Sequence, residues 1–339
     1  MAWFVGSLLS AAASRTTAQP AGAVMAVTEN PSTRARVVVI EDASATVTFV
    51  PQPQPVRRMV DTGLQRFSGK DSSALAWRLM IRPTDTVGIK VFSAPGEIIG
   101  TRPVVVAAVV ASLLDAGIPA DGIIVWDKYL HDLRLAGFFD LRKRFGIQVR
   151  SSADAKWDPA VAYENALIGK PIWGDHEFGR TGKEIGRKSY YSRLVTQEIS
   201  RHIVISPLLN HNVAGVCGNL VSLGLGSVDN TIRFETKLSP MAEAVPEIFG
   251  HEKIFDKLAL VIVDALICQY QGEENNLLHY AKVLNQLRFS KDPVALDVLS
   301  LHELEAQREN AGLPSRTFPR NLYQNAALLE LGIANPRQI

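Results

Sequence analysis

The stretch Arg201–Phe234 decides the fold and reads RHIVISPLLNHNVAGVCGNLVSLGLGSVDNTIRF. Its first part, His202–Ser206, is a short apolar run with β-branched residues, bounded by Pro207, and this pattern predicts a buried strand. Several polar residues and glycines follow directly, which is an unusual composition for a simple connection. Ligands of open α/β sheets collect beyond the carboxyl ends of strands, so we expect a binding site at this point.

The strongest catalytic candidate in this stretch is His211, which we expect on a loop just beyond the strand. It could act as a general base or as a metal ligand, with Asn210 and Asn212 orienting the ring or a substrate. The alternative is a histidine that caps the following helix or satisfies buried backbone groups. The cofactor-binding candidates are Asn210, Asn212, Gly215, Gly218, Asp229, Asn230 and Arg233. The glycines would let the backbone approach a ligand closely, and the arginine could bind a carboxylate or phosphate. A polar turn would explain Asp229, Asn230 and Arg233 equally well.

Two other apolar runs end in a carboxylate. Asp127 follows GIIVW, and Asp264 follows LALVIV. Either aspartate could bind a hard metal ion or take part in acid–base catalysis, and the alternative is that each caps the next helix. Lys90 lies inside a third run, TVGIKV, where a buried ammonium should pair with a carboxylate or face an anionic ligand. We therefore count His211, Asp264 and Lys90 as catalytic candidates, with an edge-strand position as the alternative for Lys90.

The pattern loosens between residues 151 and 193, where no clear period is present. Such a segment is typical of an insertion, a lid or an oligomer arm, and Lys188–Ser192 is predicted to form a hairpin arm. His176 in this region could join His211, Asp127 and Asp264 in the mixed coordination that divalent transition metals use. No His-x-x-His or His-Glu-x-x-His spacing supports a metal site.

The order of runs predicts an α/β fold, with a mixed, mostly parallel sheet flanked by helices and an irregular insertion or arm. We expect a single domain over residues 29–339, with the insertion at about 151–193. Thr86–Val91, a helix from Thr101 to Ala116 and the strand Gly122–Trp126 make a right-handed βαβ unit. Thr101 is predicted as the N-cap of that helix, and Asp292 as the N-cap of a helix reaching Asn310.

Composition excludes several classes of protein. The 339 residues carry 36 Lys and Arg against 34 Asp and Glu, and no basic stripe with interleaved aromatics argues for a nucleic-acid partner. Cys217 and Cys268 are too few for an iron–sulfur cluster or a disulfide framework, and two reduced, buried thiols are favoured over a single bridge. Ser222 and Cys217 do not stand in a nucleophile-elbow context, so the sequence does not predict a hydrolase.

The first 28 residues stand apart from the rest. A small-residue apolar run from Trp3 to Ala13 is followed by Ala21-Gly22-Ala23, which resembles the hydrophobic core and cleavage site of an export signal. No Lys or Arg precedes Arg15, so the segment is predicted to be a truncated signal of a periplasmic or otherwise exported protein, with a disordered tail as the alternative. No later run of ~20 apolar residues predicts an integral membrane segment in the mature chain.

Six segments, in order from about Val37 to the carboxyl end, resemble the domain-of-unknown-function 362 family. They are TVGIKV, TRPVVVAAVVASLLDAGI, IIVWDK with the downstream LRLAGF, NHNVAGVCGNLVSLGLG, LALVIVDALICQYQG and FSKDPVALDVLSLHELEAQRENAGL. The resemblance implies a mixed α/β domain and an exported member without the ferredoxin-like cysteine clusters of many relatives. Those relatives often show a Lys-Asn pair where this chain has Val221 and Ser222.

These observations lead to three functional hypotheses. The first is an enzyme with a small-molecule or metal-cofactor site at strand ends, and the redox clusters of the relatives favour an oxidoreductase. The second is a non-catalytic ligand-binding or assembly protein that uses the region 151–193 as a partner surface. The partner could be a second copy of the chain, which would make the protein a homo-oligomer. The third is an isomerase or racemase, because TRP…AGI is loosely similar to nickel-pincer lactate racemases.

Overall fold

The computed structural model describes residues 34–314 and 320–339. Arg34–Ile339 forms one compact unit. The signal-like segment predicted for residues 1–28 lies outside the described residues. In the described ranges no helix combines the length and the hydropathy needed to cross a lipid bilayer.

The strands supply a main sheet and two small hairpins. They are β1 (Val38–Glu41), β2 (Thr46–Val47), β3 (Val50–Pro51), β4 (Val87–Val91), β5 (Ile123–Asp127), β6 (Gln148–Ser151), β7 (Trp157–Glu164), β8 (Lys188–Ser192), β9 (Arg201–His211), β10 (Gly215–Val216), β11 (Leu258–Gln269) and β12 (Ala281–Ser290). The main sheet has the order β1-β12-β11-β9-β4-β5-β6, and β10 pairs with β9.

The helices pack on both faces of this sheet. They are α1 (Pro53–Ser68), α2 (Ser73–Arg78), α3 (Pro103–Asp115), α4 (Leu130–Leu135), α5 (Phe139–Phe145), α6 (Ser152–Ala155), α7 (Asn219–Ser227), α8 (Ile232–Glu235), α9 (Leu238–Phe249), α10 (Pro293–Asn310) and α11 (Arg320–Leu328). The strands from β11 to β6 pair in parallel, while β12 and β1 continue the sheet in antiparallel fashion. The predicted α/β fold with a mixed, mostly parallel sheet is confirmed.

The central strand β9 shows why its sequence is apolar almost without interruption. Ile203 and Ile205 pack with α1 and α3 on one face, while Val204 and Leu208 pack with α7 and α9 on the other. Successive side chains of a strand point to opposite faces, so a strand covered on both sides buries every residue. The apolar runs in the other parallel strands have the same cause.

Two strands are longer than their sequences predict. β9 continues through Pro207 to His211, so Asn210 and His211 lie on a strand rather than on a loop. Proline has no N–H to donate, so it is tolerated in a strand only where no neighbouring strand needs that hydrogen bond. The pairing of β4 with β9 ends at Ile205, so β4 needs no hydrogen bond from Pro207. β11 likewise continues past Asp264 to Gln269, because Arg102 neutralises the buried carboxylate.

The structure confirms the predicted N-cap of α10 and the two free cysteines, but not the predicted N-cap of α3. Asp292 caps α10 by accepting a hydrogen bond from the Ala295 N–H, as predicted. The Thr101 prediction was wrong, because Arg102 occupies the N-cap of α3 while the Thr101 hydroxyl donates to the Ile205 carbonyl. Both cysteines are free and buried, as the sequence favoured.

The region predicted as an insertion forms an arm, which we define as β7, β8 and residues 165–187 between them. The two strands pair with each other in a separate antiparallel hairpin, as predicted for Lys188–Ser192. Trp173 is 83% exposed on this arm and meets the Phe178 ring edge-on at 5.4 Å. The arm therefore presents aromatic side chains to solvent.

A buried histidine beside the sheet makes stability depend on pH. His202 is fully buried against Trp126, and neither ring nitrogen makes a well-aligned hydrogen bond. Burial lowers the pKa of His202 to about 3, with Lys257 acting in the same direction. The unfolded chain, where a histidine titrates near 6.5, therefore binds more protons between these values, and the free energy of unfolding falls as the pH falls through this window.

We expect His202→Phe to remove this part of the pH dependence. Between pH 7 and pH 5 the His202 contribution to the free energy of unfolding should fall by about 2 kcal/mol in the wild type, and urea denaturation at both pH values measures it. Exposed His131→Gln serves as the control, with the wild-type slope retained. Equal slopes for His202→Phe and the wild type would contradict a neutral buried His202.

Candidate functional site

A cleft of about 470 Å³ opens at the carboxyl ends of β4, β5 and β9. Helix α7 forms one wall, and Ile172 and Asp175 of the arm reach it from outside. The titratable residues that line it are Lys90, Asp127, Lys128, Tyr129, Asp132, Asp175, His211, Glu235 and Glu274. This is the sheet edge at which the sequence predicted a site.

Lys90 forms the floor of the cleft. Its side chain is 1% exposed, and its Nζ donates to Asp127 Oδ1 at 2.8 Å, Ser222 Oγ at 3.1 Å and the Val91 carbonyl at 2.6 Å. Burial lowers the pKa of Lys90, and the Asp127 carboxylate partly opposes that shift. The predicted pairing of a buried Lys90 with a carboxylate is therefore present, because β4 and β5 are parallel neighbours.

Asp127 is held in place by more than Lys90. Its Oδ2 accepts hydrogen bonds from the Ser93 N–H at 2.7 Å and the Ser93 hydroxyl at 2.6 Å, and its Oδ1 also accepts from the Lys128 N–H at 2.7 Å. Asp127 thus orients Lys90 and is itself fixed by the β4 and β5 ends, and it does not cap α4, whose N-cap is Tyr129.

His211 lines the same cleft from the end of β9. Its Nδ1 accepts hydrogen bonds from the N–H groups of Val213 at 3.1 Å and Ala214 at 3.0 Å. A neutral imidazole that accepts at Nδ1 carries its proton on Nε2. Burial lowers the pKa of His211, against the opposing effect of nearby glutamates, so the ring is a neutral donor rather than a base through Nδ1.

The upper walls of the cleft are acidic. Burial, reinforced by neighbouring carboxylates, raises the pKa of Asp132 and of Glu274. Lys128, whose Nζ donates to the Thr231 hydroxyl at 2.6 Å, partly balances this charge. Like charges in one cleft repel an anionic ligand, so the electrostatics favour a neutral or cationic one.

Asp264 does not line the cleft. Its side chain is fully buried within β11, where it accepts hydrogen bonds from the Arg102 guanidinium at 2.9 Å and the Arg102 N–H at 3.1 Å. Arg102 also donates to the Ile267 carbonyl at 3.0 Å. Asp264 therefore joins β11 to the start of α3 and is separated from the site that it was predicted to share with His211.

Asp229 and Asn230, predicted to bind a cofactor, instead hold the arm to the rest of the fold. Asp229 accepts from the N–H groups of His176 and Tyr190, each at 2.6 Å. Burial raises the pKa of the Asp229 carboxyl to about 6. The Asn230 amide donates to the Lys188 carbonyl at 2.9 Å.

Arg233 of α8 contacts the arm, and His176 lies on it; neither lines the cleft. Arg233 donates to the Leu167 carbonyl at 2.7 Å and the Ser189 hydroxyl at 2.9 Å. The His176 ring lies 4.5 Å from the Tyr190 ring and lines a separate hollow beside Trp173. The contacts of Arg233 occupy the guanidinium that was predicted to clamp a ligand.

The remaining predicted residues shape the turn between β9 and α7. Asn210 accepts from the Glu273 N–H at 3.0 Å, and Asn212 donates its N–H to the Glu273 carboxylate. Gly215 has φ +85°, which the tight turn to β10 requires. A Cβ at Gly218 would lie 2.5 Å from the Asp297 carboxylate, so glycine there lets Asp297 cap α7. These residues position His211 and α7 around the cleft.

The predicted metal ligands are not assembled into one site. His211 and Asp127 line the cleft, but Asp264 is paired with Arg102 and His176 lies on the arm. Among residues 34–314 and 320–339, no group of three or more His, Cys, Asp or Glu side chains is arranged to hold a metal ion. Asp264 is separated because it pairs with Arg102 inside the fold, and His176 because its ring packs against Tyr190 and lines the hollow beside Trp173.

Sequence reasoning did not assign a site role to Ser222. It is 2% exposed on α7, lines the cleft and accepts from Lys90. One turn later, a Cβ at Gly226 would lie 2.3 Å from Lys90 Cε, so glycine at this position makes room for the lysine stem. The spacing of Ser222 and Gly226, four residues apart on one helix face, is the signal that could have found this contact.

Two larger grooves, of about 510 and 730 Å³, lie near the carboxyl-terminal segment. Of these three concavities, within the described residues, the cleft alone has a buried ion pair at its floor. We therefore place the candidate site in the cleft.

Comparison with known proteins assigns no function. No protein-family model matches the sequence, and no curated protein matches it significantly. A crystal structure of a protein from Thermotoga maritima, solved by a structural genomics consortium, is similar at 11% identity and a TM-score of 0.42. The match covers 81% of this chain and 61% of that protein, so the chain spans less than two thirds of its length. The resemblance to the domain-of-unknown-function 362 family stays a prediction.

Proposed function

We propose that the cleft is the active site of an enzyme that acts on a small organic molecule by proton transfer at Lys90. The observation that carries the proposal is the buried Lys90–Asp127 pair at the floor of an open cleft. Burial of a charged pair costs more free energy than an apolar pair of similar volume. Buried groups whose pKa is shifted by desolvation beside a charged partner, as that of Lys90 is, concentrate at functional sites.

The electrostatics of the walls support a neutral or cationic substrate. Asp132, Glu235 and Glu274 line the cleft, and the charge of Lys90 is balanced by Asp127. His211 faces the same space as a neutral donor, suited to an oxygen that gains negative charge during a reaction. The oxidoreductase class stays a prediction from the family resemblance, and export stays a prediction from residues 1–28.

A screen of small neutral molecules and amines by ligand-observed NMR tests the location of the site. Ala94 is exposed on the rim of the cleft, so Ala94→Trp should block it. Leu328→Trp, at the exposed edge of the 730 Å³ groove, is the matched control. We expect some compounds to bind the wild type and Leu328→Trp but not Ala94→Trp. We also expect the wild type to turn over some of these compounds and Lys90→Met to turn over none of them.

Compounds that bind all three proteins equally would place binding elsewhere and contradict the proposal. A cleft that binds compounds without any turnover would instead favour a second candidate, a ligand-binding or assembly protein. The exposed Trp173–Phe178 pair on the arm supports that candidate, because exposed aromatic clusters are typical of protein interfaces. A homo-oligomer through this arm stays a prediction.

A further inference from the structure

We infer that Ser222 is a nucleophile activated by Lys90 and that the cleft transfers an acyl group from a small ester or amide. This inference deepens the proposed function of the cleft and rests on it. Lys90 Nζ and Ser222 Oγ lie 3.1 Å apart, within the reach that a base needs to take a hydroxyl proton. Asp127 fixes the base at 2.8 Å, so the three side chains form a nucleophile, a base and an orienting carboxylate.

The hydrogen bonds around Lys90 also suit the neutral amine that forms when the ammonium loses its proton, which is the state that such a base requires. A neutral amine has two N–H donors and one lone pair. The Val91 carbonyl and the Asp127 carboxylate can only accept, so they take the two N–H groups. Of the three partners of Lys90, only the Ser222 hydroxyl can also donate. In the neutral state of Lys90 this hydroxyl therefore donates to the lone pair of the amine. Burial lowers the pKa of Lys90 and so favours loss of that proton.

The surroundings of Ser222 leave its hydroxyl to this contact. The Ser222 oxygen accepts from Lys90, and in the part of the chain that the structure describes no other side chain or carbonyl accepts its proton. Gly226, one turn along α7, makes the space that brings the lysine stem against the helix. The Asp297 carboxylate occupies the N-terminus of α7, so the helix end itself offers no anion site.

The reaction balances without a cofactor. As the Ser222 Oγ–carbon bond forms, the hydroxyl proton moves to Lys90 Nζ and the carbonyl electron pair moves onto its oxygen. We assign the stabilisation of that oxygen to His211, which lines the same cleft as a neutral donor. The carbonyl reforms, the carbon–leaving-group bond breaks, and the proton on Lys90 passes to the departing alcohol or amine. Water then repeats the two steps, releasing the acid and restoring Ser222. The acidic walls disfavour anionic substrates.

Labelling with diisopropyl fluorophosphate, a neutral reagent, tests the nucleophile. The Ser222 Oγ–phosphorus bond forms, the phosphorus–fluorine bond breaks, fluoride leaves, and the serine proton passes through Lys90 to solvent. We expect one adduct on the full-length protein, mapped to Ser222 by peptide mass spectrometry and absent from Ser222→Ala. Loss of the base should slow labelling by ~100-fold or more in Lys90→Met, because general bases contribute at least this factor. Leu328→Trp is expected to label at the wild-type rate.

The wild-type pH profile keeps the test decisive if Lys90→Met does not fold. The labelling rate should rise with pH as Lys90 loses its proton, and Ala94→Trp should slow it by blocking access. The absence of an adduct at Ser222, or a Lys90→Met protein that labels as fast as the wild type, would overturn the inference. If compounds still bind the cleft in the NMR screen, only the nucleophile falls; if they do not, the proposed function falls with it.

Discussion

Replacing Asp264 with alanine is expected to lower the free energy of unfolding by about 3–5 kcal/mol, because the Arg102 guanidinium is left buried without its partner. Arg102 is 2% exposed and its ion pair with Asp264 spans 2.9 Å. The Arg102 N–H at the N-cap of α3 also loses its acceptor. Urea denaturation followed by circular dichroism measures the change.

The control for this prediction is Asp140→Ala, which removes an exposed ion pair with Lys143. Both of its side chains are largely in water, so the change should stay within about 1 kcal/mol. A loss of less than about 1 kcal/mol for Asp264→Ala would contradict the structural role that we assign to this residue, since breaking a buried pair costs several times more.

Replacing Asp127 with alanine is expected to cost a similar amount at neutral pH, about 3–5 kcal/mol, but with a different pH dependence. The pKa of Lys90, already lowered by burial, should fall further without the carboxylate. The folded protein then holds Lys90 neutral, whereas the unfolded chain binds a proton up to about pH 10.4. The unfolded state binds more protons in this window, so the stability of the variant rises as the pH rises.

Urea denaturation of both variants at pH 7 and pH 9.5 separates the two buried pairs. Asp127→Ala should recover much of its lost stability at the higher pH. Asp264→Ala should not, because a guanidinium keeps its charge throughout this range. If the stability of Asp127→Ala also fails to recover at pH 9.5, Lys90 keeps its proton by reaching water in the variant. That result would contradict the buried position of Lys90.

Much of the fold follows from apolar patterning. The parallel strands bury both faces, so β4, β5, β9 and β11 stand out as short apolar runs, and Asp292-Pro293 marks the start of α10 directly. Strand ends were less accessible. Pro207 and Asp264 look like terminators in sequence, yet the end of β4 and the side chain of Arg102 make both acceptable inside strands.

Part of the candidate site could also be predicted from the sequence. Lys90, Asp127 and His211 line one cleft because parallel strands end at one edge of the sheet. Asp264 does not, because its partner Arg102 lies 162 residues away in sequence and no local pattern encodes their meeting. Ser222 was missed because it reaches Lys90 only through the packing of α7 on β4, which depends on the missing side chain of Gly226.

Lys90 at the floor of a cleft that receives a ligand is the feature on which the proposed function rests. NMR spectra of protein labelled with carbon-13 at the lysine ε-carbons, assigned with Lys90→Arg, measure this directly. Adding a compound that Ala94→Trp does not bind should shift the Lys90 signal and leave that of exposed Lys143 unchanged. A bound compound that leaves the Lys90 signal in place would contradict the account.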